Sequence, residues 1–353
     1  MKAKVIGAVV AVVLAAGAAV QAAITMETVR VGNAGNTGDM RTQSDGTSGY
    51  GAVAYTYNIG KYEVTAGQYT AFLNAVAATD TYGLYNASMD SISYGCQITR
   101  HGTSGSYTYD FSGRPSGTEA DWANRPVNYV SWGDSVRFAN WLTNGQGNGS
   151  TETGAYNLNG AITDAALMSV VVPDATQRAT WSTGAKPYFL LTSEDEWYKA
   201  AYHDETAKLA ATYFNYPTNS NTMPSNDLVV PTDPGNNATF YDDNGYTIGS
   251  PYWRTEVGAH ENSDSPYGTF DQGGNVWEWN EALVSGSYRG LRVGSFYDGV
   301  IVYLLASYRI DRNPTDEDYY FGFRVSEVPE PASMAVLALG SIGMLLRRRK
   351  LGR

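Results

Sequence analysis

The chain has 353 residues, 43% of them hydrophobic and only 17% charged, with 38 Gly, 27 Tyr and 8 Trp. That length suits one large domain or two modest ones, and this composition excludes a disordered chain, which needs low hydrophobicity and high charge. A net charge of −11 argues against a nucleic-acid partner. The single cysteine, Cys96, excludes an internal disulfide and any cysteine-built zinc site.

Residues 1–22 have the pattern of a secretory signal peptide. Met1-Lys2-Ala3-Lys4 is basic, Val5 to Val20 is apolar, and Val20-Gln21-Ala22 offers small residues for cleavage before Ala23. The run is short for a retained span of ~20 residues. Residues 23–49 form a polar N-terminal extension rich in Gly, Ser and Thr, with one strand candidate, Glu27 to Val31.

The main domain is expected over 50–326. Tyr57 to Val64 reads as a strand or bend. Thr65 and Gln68 then make a capping box, and Tyr69, Phe72, Leu73 and Val76 follow at amphipathic-helix spacing. A second helix starts at Ser131, carries Val136, Phe138, Ala139, Trp141 and Leu142, and stops near Asn144-Gly145. A third opens at Thr192-Ser193, with Glu194, Asp195 and Glu196 in the first turn, where carboxylates suit the helix dipole. Long polar stretches separate these helices. The longest, 213–270, holds Pro217, Pro224, Pro231 and Pro234. Few helices among many irregular segments predict an α+β fold.

Other charged groups carry little signal. Asp316-Glu317-Asp318 reads as a solvated loop. Asp242-Asp243-Asn244-Gly245 lacks the alternating ligands and distal glutamate of an EF-hand. His101, His203 and His260 are too far apart for a local metal motif.

The C-terminal stretch 327–353 contains Pro329-Glu330-Pro331, an apolar run from Ala332 to Leu346, and Arg347-Arg348-Arg349-Lys350. It closely resembles the PEP-CTERM sorting signal of bacteria that carry exosortases. That resemblance implies export, transient inner-membrane anchoring through a short transmembrane helix, and processing by an exosortase-type enzyme to the cell envelope or extracellular matrix. Seven of the 24 basic residues lie in the two ends. The remaining 17 face the chain's 35 acids, about −18, a charge compatible with cations and with solubility.

Four internal motifs agree in order and spacing with a known family. They are Ile59-Gly60-Lys61-Tyr62-Glu63-Val64-Thr65, Arg125-Pro126-Val127-Asn128-Tyr129-Val130-Ser131-Trp132, Leu190-Leu191-Thr192-Ser193-Glu194-Asp195-Glu196-Trp197, and Gly273-Gly274-Asn275-Val276-Trp277-Glu278-Trp279. With Gly294-Ser295-Phe296 and Gly322-Phe323-Arg324-Val325, they resemble the formylglycine-generating enzyme, or sulfatase-modifying factor, family. The resemblance implies a C-type-lectin-like α+β fold with little regular secondary structure.

Enzymes of that family oxidise a sulfatase cysteine with copper held by a cysteine pair after the Gly-Gly-Ser motif. Here the segment Gly294 to Tyr303 has no cysteine, and one thiol cannot supply a copper(I) site of two thiolates. No copper is therefore expected, and formylglycine generation is not. By position, the family's structural calcium would be held by the Asp271 side chain, the Gly274 and Val276 carbonyls, and the Glu278 carboxylate. That mixture of oxygens suits calcium. The competing reading makes Glu278 a structural acceptor, and a catalytic Glu278 is the third. The substrate groove maps onto Ser295 and Arg309, although Arg309 also has Asp311 and Glu317 as candidate internal partners.

These residues lead to an exported, calcium-stabilised, non-catalytic binding module for a matrix protein or polysaccharide. The alternatives are a cysteine-independent oxidoreductase of the same superfamily and a ligand-display protein with a variable loop, its face running from Tyr297 to Arg312.

Overall fold

A computed structural model of the chain describes residues 23–182, 186–228 and 235–328. The signal-peptide run and the C-terminal apolar run lie outside the described residues. Within the described residues no helix is long and apolar enough to cross a membrane.

In chain order the strands are β1 Thr28–Val31, β2 Tyr57–Gly60, β3 Thr99–His101, β4 Thr108–Asp110, β5 Tyr188–Leu191, β6 Tyr241–Asp242, β7 Gly245–Tyr246, β8 Trp277–Val284, β9 Tyr288–Arg292, β10 Ile310–Arg312, β11 Phe321–Phe323 and β12 Val325–Val328. The helices are α1 Ala66–Val76, α2 Glu119–Ala123, α3 Trp132–Thr143, α4 Asp164–Met168, α5 Ala175–Trp181 and α6 Glu194–Tyr202. One antiparallel sheet runs β1-β2-β12-β5. A second runs β10-β9-β8-β11, with β11 parallel to β8. Two further two-stranded ribbons, β3-β4 and β6-β7, complete an α+β arrangement of short elements joined by long loops.

The three expected helices form for the expected reasons. Thr65 caps α1 and exchanges a complete capping box with Gln68. Ser131 with Asp134, and Ser193 with Glu196, do the same for α3 and α6. Helix α1 turns Tyr69, Phe72 and Leu73 inward. Phe72 meets Phe138 and Trp141 of α3 at 5.4 and 5.3 Å between ring centroids. Every residue of α3 is buried, so this helix runs through the core rather than over it. Its one cation, Arg137, is satisfied there by Glu152 and the Ala161 carbonyl. Helices α2, α4 and α5 were not legible as periodic patterns. At five to seven residues they are too short for one, and they rest on caps from Thr118, Thr163 and Asp174.

Two expectations change. The stretch 23–49 is not an appendage, because β1 pairs with β2 from Thr28↔Gly60 to Val31↔Tyr57 and Val31 is fully buried. The fold therefore begins before residue 50. Asp316-Glu317-Asp318 is also more than a solvated loop. Asn86 donates its amide to Glu317. Burial, reinforced by Asp134 beside it, pushes the Glu317 carboxyl up to about 9.

A carboxyl whose folded pKa is raised contributes stability below its unfolded value, here 4.5, and loses it as pH rises towards about 9. Glu317→Gln imitates the protonated acid. It is expected to raise the melting temperature by several degrees at alkaline pH and to leave it unchanged under acid. Melting curves across that range check this, and equal shifts at both ends would contradict it.

Candidate functional site

The run Gly273 to Trp279 enters β8 and meets three other parts of the chain. Glu278 is 1% exposed. Arg324, beside β11, donates its Nε and a terminal nitrogen to the two Glu278 oxygens, each at 2.6 Å. The Trp197 indole of α6 donates to the same carboxylate at 2.7 Å. Glu63, after β2, accepts the Asn275 side-chain amide at 2.8 Å and the Val276 N–H at 3.3 Å. The β11 register sets Gly322 opposite Glu278, and Val127 donates its N–H to the Val64 carbonyl. All the recognisable motifs thus close on one buried centre.

The charge balance of this centre is uneven. Glu63, Asp271 and Glu278 all lie close to Arg324, and Glu63 also feels Arg254. Burial, with Asp271 and Glu278 nearby, pushes Glu63 well above the ordinary carboxylate range. Burial also lifts Asp271 to about 6, against the opposing Gly258 N–H that its Oδ2 accepts at 2.6 Å. Of the four residues expected around calcium, Glu278 is thus placed as the counter-ion of Arg324. Val276 turns its N–H to Glu63, and Gly274 donates its N–H to the Val293 carbonyl. Among the described residues, no group of three or more His, Cys, Asp or Glu side chains is set to hold a metal ion. Asp271 does line a small, partly open cavity of about 10 Å³ with Thr218, Asn237, His260 and Ser263, room for about one water-sized sphere.

The two expected groove residues are turned inward. Ser295 is fully buried and donates its hydroxyl to Asp298 at 2.7 Å. The Trp277 indole reaches the same oxygen at 2.7 Å. Arg309 pairs with Glu194 at 2.7 Å and Asp45 at 3.0 Å and donates to the Tyr50 hydroxyl. An internal partner was expected, but not these two, since Asp45 and Glu194 are brought near Arg309 by the fold alone. Arg292 shares Glu194. A neighbouring network sets the fully buried Arg178 between Glu196 and Glu281, with Tyr55 donating to Glu196 and Tyr156 to Glu281.

The surface that remains is aromatic. Tyr297 meets Tyr94 at 5.8 Å and Tyr319 at 5.1 Å, and Tyr94 stacks on Tyr319 at 4.9 Å. The rings continue through Trp253 (5.1 Å from Tyr94) and Tyr246 (4.8 Å from Trp253) to Tyr241. Phe296 is the buried floor. Tyr241 and Tyr297 are 38% and 41% exposed, and Val300 and Val302 stand exposed beside them. Trp253 sits at φ +61°, a strained backbone for a bulky residue and one that concentrates at functional positions. Its indole N–H is buried without a partner among the described residues. Sequence reading pointed to this face only through Tyr297. Tyr94, Tyr246 and Trp253 lie 44 or more positions away, and nothing local ties them to it. Cys96 is fully buried, and burial pushes its thiol up, so it stands as a core residue rather than a reactive one.

The comparisons agree with this architecture. The description "sulfatase-modifying factor enzyme 1-like domain" matches residues 18–328, and the PEP-CTERM protein-sorting motif matches 327–350. No curated protein matches the chain. Among solved structures, "Treponema denticola variable protein 1" has a similar fold, with TM-score 0.52 and 19% identity over 88% of this chain and 97% of that one. CarF aligns at TM-score 0.46 and 19% identity over 86% and 98%. PvdO from Pseudomonas aeruginosa aligns at 0.42 and 15% over 86% and 91%. The sorting motif implies export, association with the cell envelope and recognition by an exosortase-type processing enzyme. With the family match spanning most of its length, the chain belongs to the sulfatase-modifying factor enzyme 1-like domain family.

Proposed function

We propose that this domain is a non-catalytic binding module displayed at the cell envelope, and that its ligand sits on the aromatic face around Tyr297. The exposed ring cluster carries this reading. Grouped aromatic side chains supply large rigid contact area at small entropic cost. The segment 294–303, where the family places its redox cysteines, has none. The other family motifs are consumed in the buried centre around Glu278 and Arg324. The test uses the labelled mature chain, added to matrix from producing cells that lack the protein. Retention is expected, with loss in Tyr246→Ala and Tyr297→Ala. Equal retention of the variants sinks the assignment of the face.

The ring-bearing residues Tyr94, Trp253, Tyr297 and Tyr319 all sit in connecting segments outside the named strands and helices. Loops tolerate substitution better than the elements they join, which favours ligand display as the second reading. Substitutions clustered from Tyr297 to Arg312 among sister isolates would support it, and an unchanged segment would count against it.

A structural calcium ion at Asp271, Gly274, Val276 and Glu278 belongs to the same proposal. Its support is the excess of buried carboxylates over Arg324 and the small cavity against Asp271. Calcium binding to the native state alone would stabilise it by mass action. Chelation is expected to lower the melting temperature, and Asp271→Asn to remove that sensitivity. Elemental analysis of the purified mature chain should give about one or two calcium ions per chain and no copper. A melting curve indifferent to chelator would end the calcium proposal. Stoichiometric copper or iron would bring the cysteine-independent oxidoreductase forward.

A further inference from the structure

The segments that frame the aromatic face carry acids and no bases, and the exposed Arg312 lies near Tyr320 at one edge. Three chain segments frame it, 241–246 on the β6-β7 ribbon, 296–303 beneath Tyr297, and 316–320 beside Tyr319. Together they hold six acids, Asp242, Asp243, Asp298, Asp316, Glu317 and Asp318, and no Lys, Arg or His. Asp298 is committed to Ser295 and Trp277, and Glu317 to Asn86. Asp243, in contrast, is exposed at the ribbon tip, two residues from Tyr241 at the end of the ring row. Arg254, below the rings, is fully buried and donates to the carbonyls of Tyr94 and Gly95, so its guanidinium makes no direct contact with a ligand.

We infer that the face takes a polysaccharide of amino sugars carrying free amines. The inference rests on the binding-module reading above. Two observations meet in this ligand class. The rings Tyr246, Trp253, Tyr94 and Tyr297 offer flat apolar surface for the C–H faces of sugar rings, and ring faces with carboxylates at their border attract ammonium groups. An anionic polysaccharide meets mostly like charge on a protein of net charge −11. A neutral glycan uses the rings and leaves the acidic border unused. A basic peptide uses the acids but presents no series of flat saccharide faces to the row of rings.

The experiment is calorimetric titration of the mature chain with four probes: a glucosamine hexamer, its fully N-acetylated counterpart, a galacturonic acid hexamer and hexalysine. The glucosamine hexamer is expected to bind at least about tenfold more tightly than each of the others, with affinity falling as salt is raised. Tyr246→Ala and Tyr297→Ala keep the net charge and should each weaken binding about tenfold. Both rings lie at the surface, and unchanged melting temperatures certify the fold. Asp243→Asn should reduce the preference over the N-acetylated probe.

Hexalysine binding equally well, or ring variants binding like the parent, would mean unspecific charge attraction and overturn the inference. Preference for the N-acetylated or galacturonate probe, or binding of none, overturns it as well. The matrix-retention experiment separates the levels. If retention is lost in the ring variants while all four probes fail, only the ligand class falls. If retention is indifferent to the rings, the binding face itself falls.

Discussion

Arg324→Met is expected to cost about 3–5 kcal/mol of stability, the usual result of stripping the partner from a buried charge, and so to lower the melting temperature by roughly 10 °C. The reason is local. Glu278 receives two bonds of 2.6 Å from this guanidinium. Glu63 and Asp271 lie close enough for it to lower both carboxyl pKa values. Without Arg324, three buried acids face one another, and they must take up protons or admit water. Glu278→Gln should cost less, because Arg324 keeps Glu63 and Asp271 nearby and the carbonyls of Gly60 and Phe270 as acceptors. The double variant should recover part of the loss, and the double-mutant cycle reads the coupling directly. A single-variant shift of about 2 °C or less would mean that this centre does not hold the fold.

Gly274→Ala should be nearly as damaging, about 2–4 kcal/mol from strain and overpacking together. Gly274 has φ +81°, and a Cβ there would stand 2.0 Å from the Thr239 carbonyl oxygen. That carbonyl accepts the Asn275 N–H at 2.7 Å, so it cannot retreat without breaking the bridge that fixes the entry to β8. The preceding glycine is the control. A Cβ on Gly273 meets the Pro217 ring at 3.1 Å and the backbone there is not left-handed, so Gly273→Ala should cost little. Soluble yield and melting temperature of the two variants decide. Equal effects would mean that close approach at Thr239 is not what fixes this glycine.

The capped helices were readable because their determinants are local. Thr65 with Gln68, Ser131 with Asp134, and Ser193 with Glu196 lie three residues apart, and each closes its capping box within its own first turn. The function of Gly273 to Trp279 was not readable in the same way. The resemblance places Glu278 among oxygens around an ion, and its protein partners lie 46 and 81 residues away at Arg324 and Trp197. A carboxylate between two buried tryptophans does announce that it needs a partner, but no sequence window shows which. Arg309 teaches the same point. Asp311 and Glu317 are near in sequence, yet Asp45 and Glu194 hold it at 264 and 115 residues' separation.

The sequence by itself determined the family, the three capped helices, the α+β class, the sorting motif and the absence of a cysteine pair after Gly294. Each depends on residues within one short window or on ordered motifs. Only the tertiary structure decided that Glu278 serves Arg324, that the strand read before residue 50 pairs into the main sheet against β2, and that Tyr94, Tyr246, Trp253, Tyr297 and Tyr319 form one face. Burial makes pairing of charges obligatory, and close packing makes neighbours of rings far apart in the chain. Both follow from where the backbone goes in space, and composition and local spacing do not carry that information.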